Sequence, residues 1–225
     1  MMLLCWSTII LIFIIILVIY SLWWSVNNDL KQVYKYKSLF EIDNSILKYV
    51  DTNYWLINTW YMPSNLVLLT GNCIETARTI YIRDDVLYEF QKLVKSFCSE
   101  FWKPLFVVSA YRSYSYQEEL YKKCEDKIFC AKPWYSEHQL WLALDVISVS
   151  DYDIFMSNSE FRKYYNWLNN NAYKYWFINS YKKWIDVDTY PKEPWHWRYV
   201  WLSLAEYLAK NNIDFSEYFY SLKKY

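Results

Sequence analysis

Glycine is almost missing: the chain has one, Gly71, in 225 residues, where an average composition of roughly 7% would supply about 16. Histidine is scarce too, so imidazole chemistry can fall only on His138 and His196. Neither sign of charge is in excess, with 24 basic and 24 acidic side chains. That balance supplies no long-range field for nucleic acid or an anionic surface, and no nucleic-acid partner is expected. No C-x-x-C pair occurs, which argues against a cysteine zinc site. There is no internal repeat and no low-complexity linker, and the length left after the first segment suits one domain.

What is present begins with an apolar run from Leu3 to Leu22, without a charge before Asp29. About 20 such residues cross a bilayer core. A cleavable signal peptide needs a basic n-region and a small-residue A-x-A site, and neither is visible, so residues 1–24 read as a transmembrane signal anchor. Residues 25–54 are polar and rich in Lys and Tyr and read as a juxtamembrane stalk; residues 55–225 read as the domain. Lys31, Lys35 and Lys37 follow the span, and by the positive-inside rule they would place the domain in the cytoplasm. Outside the span lie Cys73, Cys98, Cys124 and Cys130, an even number that permits disulfides in an oxidising compartment. Cys124 and Cys130 are close enough in sequence to clip one short loop.

Hydrophobic periodicity predicts a helix over 84–101 with Asp84 as its N-cap, ended by Pro104, then a buried strand over 105–109. A capping box, Ser115 with Glu118, predicts a helix over 115–127. Further strands are expected at 142–148, 175–180 and 197–200, and helices at 160–173, 203–210 and 215–222. Strands and helices alternate irregularly, so the expected class is α+β.

Ser136-Glu137-His138 is followed by Asp145 at the start of an apolar strand, and Glu193-Pro194-Trp195-His196 lies far downstream. A catalytic zinc ion wants three N/O protein ligands, an open position for water and a nearby carboxylate as base. His138, Asp145, His196 and Glu193 are the residue types that would supply them. Trp195 and Trp197 read as packing residues, and Glu118, Glu119 and Glu137 as solvated charges.

These blocks, together with Ser109-Ala110-Tyr111-Arg112-Ser113 and Gln117 upstream and His196-x-Arg198-Tyr199-Val200 downstream, resemble the zinc D-alanyl-D-alanine carboxypeptidases of the VanY type over roughly residues 55–210. The resemblance implies a small α+β domain with a central antiparallel sheet and flanking helices, the fold shared with the Hedgehog N-terminal domain. It implies that His138, Asp145 and His196 hold zinc and that Glu193 takes a proton from the attacking water. It implies also that Arg112 stabilises charge on the scissile carbonyl oxygen, while Ser136 and Gln117 help to hold the terminal D-alanine. The activity expected is hydrolysis of the D-Ala-D-Ala end of peptidoglycan stem peptides by a single-pass membrane protein. Because that substrate lies outside the cytoplasm, an extracytoplasmic domain is expected against the lysine bias. The alternatives are an endopeptidase of the same fold and a zinc-stabilised, catalytically silent binding module.

One departure from the family is patterned. Its motifs have glycine where this chain has Trp134, Trp141, Trp176 and Trp201, and Trp60, Trp102 and Trp184 stand in similar contexts. Glycine serves where φ is positive or backbones approach closely, and an indole is the bulkiest replacement. A gene that reads UGA as glycine, translated with UGA as tryptophan, would show this pattern. The scarcity of glycine beside 14 tryptophans, and 19 lysines against 5 arginines, fit that origin.

Overall fold

The computed structural model describes Tyr20 and residues 37–224, except 59, 148, 150 and 184. The apolar run at 3–22 thus lies, Tyr20 apart, outside the described residues, as does Trp184; among those described no helix is long and apolar enough to cross a membrane.

The described residues form seven strands: β1 (Leu66–Leu68), β2 (Ile74–Thr76), β3 (Tyr81–Arg83), β4 (Leu105–Ser109), β5 (Ala143–Val146), β6 (Phe177–Asn179) and β7 (His196–Tyr199). β1 and β3 form an antiparallel ribbon, and the other five form a sheet in the order β2-β4-β5-β7-β6. Its pairs are antiparallel except β2 with β4, which run parallel at one edge. The class is α+β, as expected, with that one parallel pair added.

The helices are α1 (Asp84–Phe101), α2 (Tyr114–Lys123), α3 (Tyr152–Ser157), α4 (Ser159–Asn171), α5 (Ile185–Asp188), α6 (Leu202–Asn211) and α7 (Phe215–Lys223). In α1 the apolar stripe Val86, Phe90, Leu93, Val94 and Phe97 is buried, and it belongs to the same core as Leu105, Val107, Leu144, Val146 and Phe177 of the sheet. Two expected caps are displaced. Arg83, not Asp84, is the N-cap of α1. Helix α2 starts one residue before the expected 115 because Ser113, not Ser115, accepts from the Tyr116 backbone N–H, and it ends at Lys123, short of the expected 127.

Residues 40–54, assigned to the stalk on composition, pack as part of the fold. Phe40, Leu47, Tyr49 and Val50 are buried, and the Tyr49 ring stacks on Phe219 of α7 at 3.9 Å. The stretch reads as polar because its few apolar residues show no period; Phe40 and Tyr49 pack on Phe215 and Phe219 of α7. Cys73 bonds to Cys98, tying β2's approach to α1, and Cys124 bonds to Cys130.

Backbone conformation separates the tryptophans. Trp102, Trp134, Trp141 and Trp176 have φ of 56°, 76°, 63° and 72°, together with Ile147, Thr189 and Asn212 among non-glycine residues. Trp102, Trp141 and Trp176 each end a helical segment in the left-handed conformation that glycine favours at this position. Trp201 is extended, with φ −73°, so its backbone makes no such demand.

Candidate active site

The sheet register assembles the centre of the site. Asp145 on β5 lies opposite His196 on β7 and opposite Ser109 on β4. Direct cross-strand partners sit about 5 Å apart at Cβ, which brings the Asp145 carboxylate to His196. His138 arrives from the short 3₁₀ turn at Glu137–Leu140, capped by Ser136 Oγ, and Trp141 then turns the chain into β5. The Trp141 ring lies 3.4 Å from that of Tyr111, centroid to centroid, which is the limit of van der Waals contact.

His138 Nε2 is 3.2 Å from Asp145 Oδ2, and His196 Nδ1 is 3.2 Å from Asp145 Oδ1. The three ligand atoms lie within 4.8 Å of one another, and all three residues are buried. His138 Nδ1 lies 2.6 Å from the Ala110 carbonyl. A carbonyl only accepts, so that nitrogen carries the proton and Nε2 is left with its lone pair. Glu193 stands beside the cluster, its Oε2 3.8 Å from His196 Nδ1. Asn179 Nδ2 donates to the carbonyls of both Glu193 and His196, fixing the short segment between them.

The electrostatics match a cation site. Burial pushes the His138 imidazolium down to about 4, so the ring is neutral. Burial opposes ionisation of Asp145, but His138 and Arg112 outweigh it and hold its carboxyl well below the ordinary range. At His196 burial is outweighed by the carboxylates of Asp145 and Glu137, which lift it to about 9. Desolvation raises Glu193 to about 7, the range in which a general base works best at neutral pH. A divalent cation here would replace the His196 proton and neutralise Asp145.

Arg112 donates from Nη2 to Asp145 Oδ2 and from Nε to Ser109 Oγ at 3.1 Å. It lines a cleft of about 970 Å³ with Ser136, His138, Asp145, Glu193, His196, Gln117, Tyr181 and Tyr190. Gln117 is buried; its Nε2 donates to the Ala131 carbonyl, while Oε1 has no hydrogen-bond partner among the described residues. That leaves the Oε1 acceptor and the second Nε2 hydrogen for a bound molecule. The Cys124–Cys130 loop supplies Ile128 and Phe129 to the cleft wall.

All seven residues singled out from the sequence therefore come together around one cleft. Glu137 corrects the sequence reading: it is 1% exposed, not solvated, and accepts from His196 Nε2, Ser180 Oγ and Arg198 Nη1. Tyr181 and Tyr190 were missed. The Tyr181 ring lies 4.7 Å from the His196 ring; its place directly after a predicted strand was the available signal.

A family model described as VanY, D-alanyl-D-alanine carboxypeptidase, matches residues 79–202. The chain belongs to the VanY family. It is a carboxypeptidase. Similar proteins include the putative carboxypeptidase YodJ of Bacillus subtilis strain 168, 32% identical over 88% of this chain and 75% of that protein. A D-alanyl-D-alanine carboxypeptidase of Enterococcus faecalis is 30% identical over 50% of this chain and 46% of its own length. The VanY-family chain thus spans under half of that enterococcal relative. Among solved structures, the LD-carboxypeptidase LdcB, described in terms of peptidoglycan recognition, superposes with a TM-score of 0.68 at 30% identity, over 79% of this chain and 87% of that one. A VanY variant from the VanB-type resistance cassette in complex with Zn(II) shares the fold, with TM-score 0.56 and 23% identity, over 75% of this chain and 96% of that one.

Proposed function

We propose that this VanY-family carboxypeptidase uses zinc, held by His138, Asp145 and His196, to release the terminal D-alanine of peptidoglycan stem peptides ending in D-Ala-D-Ala. The observation that carries the reading is the buried His-Asp-His cluster with Glu193 beside it at the floor of a peptide-sized cleft. The donor set fits zinc: two imidazole nitrogens and one carboxylate, with room on the cleft side. Bound zinc would supply a fixed charge that makes water acidic enough to lose a proton near pH 7.

The residues present then divide the work. Glu193, raised to about 7 by burial, takes the proton of the attacking water and can return it to the leaving amine. Arg112 offers planar donors to the developing oxyanion. Gln117 and Ser136 line the same cleft and hold the terminal D-alanine. Anchoring by residues 1–24, with the domain outside the cytoplasm, belongs to the same proposal. The location of the substrate and the two disulfides support it, since such bonds persist in oxidising compartments. The lysines after the span weigh the other way.

A second reading is favoured by the likeness to the LD-carboxypeptidase LdcB: cleavage of an L,D rather than a D,D bond of the stem peptide. Incubation of the detergent-solubilised chain with a pentapeptide or a tetrapeptide stem, with and without chelator, separates the two. Chelator-sensitive D-alanine release from the pentapeptide is expected. Release from the tetrapeptide alone would replace the primary reading with the second, and release from neither would contradict both.

A further inference from the structure

Behind the ligand set lies a buried ion pair that the reaction as described leaves unused. Arg198 is fully buried and Glu137 nearly so. Arg198 donates Nη1 to Glu137 Oε1 at 3.0 Å, Nη2 to the carbonyls of Ile46 and Lys48 at 3.1 and 2.8 Å, and Nε to the Tyr199 carbonyl at 3.0 Å. The other carboxylate oxygen, Oε2, accepts from Ser180 Oγ at 2.8 Å and faces His196 Nε2 at 2.9 Å. Stability does not account for such a pair. Desolvating two charges costs several kcal/mol, and apolar residues of similar volume often serve as well or better.

The proton count shows what the pair does. An arginine buried in this way stays charged and only donates, so it fixes Oε1 of Glu137 and turns Oε2 toward His196. An ionised carboxylate only accepts, so His196 must carry its proton on Nε2. When a cation displaces the second proton, it therefore comes off Nδ1, the nitrogen 3.2 Å from Asp145. His138 is set the opposite way by the Ala110 carbonyl, with the proton on Nδ1. We propose that Glu137 is a positioning residue that fixes the tautomer and ring orientation of His196 for metal binding, and that Arg198 holds Glu137 in place and ties it to the segment at 46–48. The inference rests on the metal reading above.

Because the chain has only two histidines, ¹⁵N-imidazole spectra of the zinc-loaded protein read the tautomers directly. The expected spectrum shows one ring bound through Nε2 and the other, His196, bound through Nδ1. The decisive variant is Glu137→Gln, which keeps the shape. Arg198 would claim the amide oxygen and turn the NH₂ toward His196, forcing the imidazole proton onto Nδ1. Zinc affinity, measured by competition with a chromophoric chelator, should fall about 10- to 100-fold while the circular dichroism spectrum is kept. Ser180→Ala leaves the carboxylate intact and should retain the tautomer and affinity within a few fold. Both rings bound through Nε2 in the parent protein would overturn the proposal, even should Glu137→Gln fail to fold. So would parent-like zinc affinity in a folded Glu137→Gln. A parent protein that binds no zinc would instead defeat the metal reading itself.

Discussion

Trp102 offers a clean test of whether this backbone was shaped for glycine. It ends α1 in the left-handed conformation, φ 56°, ψ 29°, and its backbone N–H bonds to the Cys98 carbonyl. The side chain is 90% exposed, so truncating it removes little buried surface. In an ordinary helix interior, Ala to Gly costs about 0.5–1 kcal/mol through chain entropy. Here any L-residue carries a left-handed penalty of about 1–2 kcal/mol, which glycine escapes. The difference inverts the usual order: Trp102→Gly should be more stable than Trp102→Ala by about 1 kcal/mol. For a domain of this size that is roughly 2–4 °C in Tm, well resolved by thermal unfolding followed by circular dichroism. An alanine variant that melts at or above the glycine variant would refute the reasoning. With four left-handed tryptophans among the described residues, the summed penalty is about 4–8 kcal/mol against a total stability of about 5–15. We infer that codons 102, 134, 141 and 176 are UGA read as glycine, whereas the codons for the packing residues Trp195 and Trp197 are UGG. UGG at the first four positions would rule this out.

Glu193→Gln should keep its metal and fold but lose about 10²- to 10⁴-fold in turnover, since the amide cannot take a proton; D-alanine release at the parent rate would remove Glu193 from the mechanism. Asp188 is buried and its carboxyl is raised to about 7 by desolvation and by the neighbouring Asp214. The folded chain therefore retains a proton that the unfolded chain has lost above about 4, so this group's contribution to stability falls as pH rises from about 4 to about 7. Melting from pH 4 to 8 should show that decline, and Asp188→Asn should flatten it; an unchanged slope in the variant would contradict the assignment. Replacing Cys73 and Cys98 with serine opens a crosslink 25 residues apart and should cost about 3 kcal/mol in denaturant unfolding, an effect absent if the pair is not bonded.

The long elements were legible because they carry a full period: α1 and β4 lie where their apolar spacing places them, and α4, α6 and α7 lie within two residues. β1, β2 and β3 were not legible, because three residues give no period to detect, and what holds them is pairing with distant strands. The ligand set could be read because each histidine has a carboxylate nearby in sequence. Glu137 was misread because its burial depends on Arg198, 61 residues away, and nothing local distinguishes it from the solvated Glu118. Arg198 itself carried a signal: a charge inside the apolar run Trp197–Val200 must find a partner when all of β7 is buried.

The central claim is that His138, Asp145 and His196 hold the zinc ion that peptide cleavage needs. Elemental analysis of the purified chain beside His196→Ala, with D-alanine release measured on the same samples, tests it most directly. The account predicts one zinc ion per parent chain, restored together with activity after chelation and zinc addition, and loss of both metal and turnover in the variant. Full zinc occupancy in His196→Ala, or undiminished release from a zinc-free parent protein, would contradict it.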